Sequence, residues 1–66
     1  MNYAPHQQRV VDEKAELDDR RLKLHTFILS NPVFKALGEA EQDRMKRQYN
    51  AMTLYSGVLG ERIEAF

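Results

Sequence analysis

The stretch PHQQRVVDEK, Pro5 to Lys14, gathers a histidine, an arginine, a lysine, two glutamines and two acids around one pair of valines. An imidazole can stack on a base and donate a hydrogen bond, and a guanidinium offers a planar fork to a phosphate or a base edge. His6 and Arg9 are thus candidates for holding a polar ligand. The competing explanation is a solvated helix start, in which Arg9 and Glu13, four residues apart, bridge each other. Composition alone leaves both open.

A second polar group lies in DRMKRQYNAM, where Arg44, Lys46 and Arg47 surround a helix that also carries Tyr49. Cations beside an aromatic ring can grip a phosphorylated base, although cations spread around several faces are commonly a solvated surface. Tyr55 and Arg62 differ, because at 100° per residue they lie within about 20° of one another, two turns apart. They mark either a pocket between chains or the rim of one.

Catalysis has little to work with. The chain has no cysteine, no glycine-rich phosphate loop, no His-Glu-x-x-His and no elbow that would expose Ser30 or Ser56 as a nucleophile. Glu13, Glu16, Asp18 and Asp19 could supply paired carboxylates, but on one helix such acids usually form a solvated face. Without thiols and with only two histidines, a structural metal site is not expected. No catalytic residue, metal ligand or cofactor is assigned.

Ten basic and ten acidic side chains cancel, which removes the positive field that duplex binders use on phosphate backbones. No apolar run approaches the roughly 20 residues needed to span a bilayer, and MNYAPHQQR lacks the order of a secretory signal. A soluble cytoplasmic protein without a membrane partner is expected.

The elements that must position these groups are helical. No Gly or Pro falls between His6 and Leu29, and Pro5 marks a start, so a first helix is predicted over 6–29. Val10, Leu17, Leu24 and Ile28 share one line along it, and Val11, Ala15, Leu22 and Leu29 a second line about 100° away. Between them run Lys14, Asp18, Arg21 and His25, a solvated stripe in a monomer or a groove if each seam meets a different neighbour. A single broad core face with snorkelling stems is the other reading.

Asn31 is a candidate N-cap with Pro32 at the first helical position, which predicts a short helical turn over 32–37 closed by Gly38. Val33, Phe34 and Leu37 would plug the tip. A second long helix is predicted over 39–65, with Glu39 and Glu41 at its positive end and Met45, Tyr49, Met52, Leu59 and Ile63 as its seam. Leu54 points roughly away from that seam. The expected fold is all-α: one domain over 1–66, an antiparallel helical hairpin with a helical turn at its tip. Two helices enclose little core, so assembly into a homo-oligomeric bundle is expected.

The order of residues adds a resemblance. PHQQRVVDEKAEL, LSNPVF, then Q, M, Y, LGERI and a terminal F resemble a small hairpin family of phage and prophage proteins, the crAss-like-phage related proteins, over Pro5 to Phe66. The matching polar positions are His6, Gln7, Arg9, Glu13 and Lys14 on the first helix and Gln48, Tyr55 and Arg62 on the second. Gly38 stands where a Ser or Pro is more usual.

A looser, architectural similarity is to phage sponges that defeat bacterial immunity by sequestering cyclic nucleotides, in the anti-CBASS and anti-Thoeris manner. The resemblance implies a non-catalytic, homo-oligomeric anti-defence protein in the cytoplasm of an infected bacterial host. Its ligand would be a cyclic di- or trinucleotide or a cyclic ADP-ribose-like signal. The eight matching residues would form the ligand site. The alternative is a phage accessory protein that inhibits a host protein through a helical face carrying Leu22, Leu29 and Leu54.

Overall fold

The computed structural model describes residues 2–66. Three helices follow one another: α1 (Pro5–Ser30), α2 (Pro32–Ala36) and α3 (Glu39–Glu64). The long ones agree with the predicted spans to within a residue. Pro5 occupies the first turn of α1, where its missing N–H costs nothing, and Gln7 Oε1 turns back to accept from the Ala4 N–H at 2.9 Å.

Asn31 both ends α1 and starts α2. Its N–H donates to the Phe27 carbonyl at 3.1 Å, while its Oδ1 accepts from the Val33 N–H at 2.9 Å. The expected role of Gly38 is corrected. Leu37 is the C-cap of α2, and Gly38 is the N-cap of α3, with φ −61° and ψ 151°, a backbone any residue adopts. The Gln42 amide closes the corner by donating to the Leu37 carbonyl at 2.8 Å. Of the expected plug, Phe34 is buried and Leu37 half-buried, while Val33 stays exposed. Phe34 packs edge-on against Phe27 with ring centres 6.2 Å apart, under the Lys46 ammonium.

α1 and α3 lie antiparallel along their length. Tyr3 meets Phe66 at one end, Lys14 meets Ser56 midway, and His25 lies against Tyr49 toward the tip. The rod measures 46 × 15 × 14 Å, with a radius of gyration of 14.9 Å where a compact chain of this length would have about 11 Å. Among the described residues only Val10, Phe34, Leu59 and the polar Ser56 are buried. The first seam of α1 faces α3, but the second does not, since Leu22 and Leu29 remain 65% and 67% exposed.

Candidate functional site

The stripe Lys14, Asp18, Arg21 and His25 is half-buried within the single chain. It turns onto α3. Lys14 Nζ donates to Asp18 Oδ2 at 2.7 Å and, across the hairpin, to Ser56 Oγ at 3.0 Å, and the Ser56 hydroxyl donates to Asp18 Oδ1. Three polar groups therefore close a ring between the helices. A buried hydroxyl needs such partners. Arg21 Nε stands 3.5 Å from Asp18 Oδ1, outside good hydrogen-bond geometry, and has no other partner among the described residues.

Hydrogen bonds from Lys14 and then Ser56 hold the Asp18 carboxyl below its ordinary value, with the Lys14 and Arg21 charges adding to them. Partial burial acts the other way and is outweighed. Gly60 lies at the crossing, where a Cβ would meet Lys14 Cε at 3.4 Å, an ordinary contact. Two turns nearer the tip, His25 and Tyr49 stack with ring centres 4.6 Å apart and planes tilted by 31°.

The contacts fix the register of the two long helices, and the register sorts the eight candidates into two flanks. At 100° per residue, Gln7 and Lys14 lie on the flank of α1 that meets Gly60, while His6, Arg9 and Glu13 lie on the other. Antiparallel packing places Gln48, Tyr55 and Arg62 of α3 on that same second flank. Arg9 falls level with the turn holding Arg62, and Tyr55 lies two turns, about 10 Å, toward the tip. Gln48 is farther still, about 21 Å from Arg62 along the axis.

His6, Arg9, Glu13, Gln48, Tyr55 and Arg62 are all exposed. The Arg9–Glu13 bridge that their spacing allows does not form, and Arg9 and Arg62 make no ion pair among the described residues. Gln8 bonds to Asp12 instead, with Nε2 2.9 Å from Oδ1. Two guanidiniums thus stand open on one flank, with an imidazole at the helix start and a phenol beside them. Lys14 and Gln7 differ, because their heads are already engaged within the hairpin. Sequence reasoning left the setting of Asp18 open and gave Ser56 no role as its partner; that pairing joins residues 38 positions apart, which no local pattern encodes.

A separate open depression of about 390 Å³ lies on the outer face of α3, lined by Thr53, Leu54, Gly57, Val58 and Glu61. One helix supplies all its walls. Among the described residues no helix is long and apolar enough to cross a membrane, and no cluster of three or more His, Cys, Asp or Glu could hold a metal ion.

A family model described as Sequestin matches residues 4–65 of the chain. No curated protein and no solved structure matches it.

Proposed function

The chain belongs to the Sequestin family of non-catalytic phage sponges, which sequester a cyclic nucleotide signal of host immunity, and from that premise we propose where and how it holds its ligand. The family match over residues 4–65 is the observation that carries the sequestering function. The site we assign is the flank bearing His6, Arg9, Glu13, Tyr55 and Arg62.

Arg9 and Arg62 meet phosphate charge. Both guanidiniums are free of intrachain ion pairs, so binding breaks no internal bridge, and each offers paired donors to a phosphate. Tyr55 and His6 stack on bases or donate to them, and Glu13 accepts from a base amino group. Lys14 and Gln7 set the crossing and the helix start, with the remaining Lys14 donor available to the ligand. Gln48, about 21 Å down the rod, reads a base edge on a ligand held between this chain and another copy.

A cyclic di- or trinucleotide or a cyclic ADP-ribose-like signal fits these groups, and a rod with so little buried surface suits a homo-oligomer whose copies close the site. The protein would act in the cytoplasm of an infected bacterial host.

Calorimetric titration against cyclic di- and trinucleotides and cyclic ADP-ribose isomers, with mass followed by light scattering, tests this. Tight binding at less than one ligand per chain, with intact ligand recovered after heating, is expected. Silence across that panel overturns the assignment.

A further inference from the structure

The outer face of α3 points directly away from α1 and has no partner among the described residues. At 100° per residue Arg47, Ala51, Leu54, Val58, Glu61 and Ala65 fall within about 80° of arc, opposite the line of Met45, Tyr49, Met52, Ser56 and Ile63 that meets α1. Leu54 is 72% exposed and Val58 45%, on either side of the open depression. Such an apolar strip on a small chain calls for a cover.

The charges along this strip say what covers it. Arg47 lies seven residues before Leu54 and Glu61 seven residues after it, both on the line of the strip. A second α3 laid antiparallel across Leu54 brings each Arg47 opposite the Glu61 of the other copy, so a single surface satisfies itself twice. Glu61 has no ion-pair partner among the described residues, and Arg47 is held only by Asp43, one turn back on its own exposed surface.

The exposed area agrees. The chain leaves 5071 Å² accessible, whereas a folded monomer of 7.7 kDa would leave about 4,300 Å². The excess approaches the roughly 800 Å² that each partner of a standard interface covers. We propose that a second copy of this chain docks on the α3 face centred on Leu54, antiparallel and two-fold, with Leu54 and Val58 as its apolar centre and Arg47–Glu61 pairs at both ends.

This docking stands without any ligand. Combined with the sponge site, on whose reading this step rests, it extends that site at its Tyr55 end, because an antiparallel two-fold keeps like flanks on the same side. The two Tyr55 rings then face outward on one side of the pair, on helices roughly 10 Å apart, and the flanks carrying Arg9 and Arg62 run away from them in opposite directions.

Light scattering and sedimentation on the full chain test the proposal, with circular dichroism as the check on folding. Leu54→Lys is expected to cut the mass by half or more at unchanged helicity. Arg47→Glu and Glu61→Arg alone are each expected to weaken association at least tenfold, and the double exchange R47E/E61R to restore it. A monomeric wild type, a mass unmoved by Leu54→Lys, a mass lost instead with Leu29→Lys, or a double exchange that fails to rescue would each overturn it. Retained pairing with no nucleotide bound would sink the sponge site and leave this face standing, and nucleotide bound at less than one per chain by a Leu54→Lys variant of unchanged mass would do the reverse.

Discussion

Lys14 donates across the hairpin to Ser56, Nζ to Oγ at 3.0 Å, while holding Asp18 on its own helix at 2.7 Å. One cation thus ties the middle of α3 to the middle of α1, in a rod where three apolar side chains among the described residues are buried. Ser56→Ala removes the acceptor of Lys14 and a donor to Asp18. A net loss of about 1 to 2 kcal/mol is expected, which is about 4 to 16 °C in melting temperature for a chain of this size. Thermal unfolding followed by circular dichroism reads it, and an unchanged midpoint would show that water replaces the serine at no cost.

Asp18 carries a pH signature of the same ring. Its carboxyl titrates below its ordinary value of 3.8 because Lys14 and Ser56 hydrogen-bond the ionised form. A depressed carboxylate stabilises the fold at every pH above the unfolded value, and that contribution fades as pH falls through 3.8 toward the lower folded value. Melting temperature should therefore be level near neutrality and drop in this acid window. Asp18→Asn should melt lower at neutral pH and lose part of the acid drop; a variant whose acid profile superimposes on the wild type would place the titration elsewhere.

Gly60 separates two uses of a glycine. A methyl there meets only Lys14 Cε, at an ordinary 3.4 Å and on a flexible stem. Helix propensity favours alanine by about 0.8 to 1 kcal/mol, so Gly60→Ala should melt higher than the wild type. A lower melting point would mean that Lys14 needs the bare backbone to reach Ser56.

Phe34 anchors the tip. It is buried, stands edge-on to Phe27 and lies beneath the Lys46 ammonium, yet belongs to a helix of five residues with no other buried side chain. Phe34→Ala should cost about 3 kcal/mol, the lower end for losing a core ring. Amide exchange should show the loss first around α2 and the tip ends of α1 and α3. Uniform loss along the rod would make the tip a part of one cooperative unit.

Much of this arrangement is legible in local pattern. Pro5, the Asn31–Pro32 pair and the acids at 39 and 41 mark the helix starts, and the spacing of Val10, Leu17, Leu24 and Ile28 marks the face that α3 covers. The second line, Leu22 and Leu29, is equally regular but exposed in a single chain, because periodicity reports an apolar face and not what covers it. Lys14 is the instructive case. Its position at the edge of the seam suits a solvated cation as well as a buried stem, and Ser56, 42 residues later, decides where its head goes. Arg9 is the converse, since its spacing from Glu13 allows a bridge that the structure does not make.

That unmade bridge gives the most direct test of the ligand flank. Arg9 and Arg62 are exposed and lack ion pairs within the described chain, so truncating either should leave helicity and mass unchanged. A charge-assisted contact to phosphate is worth roughly 1.5 to 3 kcal/mol, hence Arg9→Ala and Arg62→Ala should each weaken cyclic nucleotide binding by at least about tenfold in calorimetry. Lys35→Ala, on α2 at the far end of the rod, should not. Because the two arginines sit on facing turns of antiparallel helices, they would serve neighbouring charges on one ligand, and the double variant should lose less than the sum of the single losses. Affinity untouched by either change moves the site off this flank, and loss of helicity in Arg9→Ala returns that residue to a structural role at the start of α1.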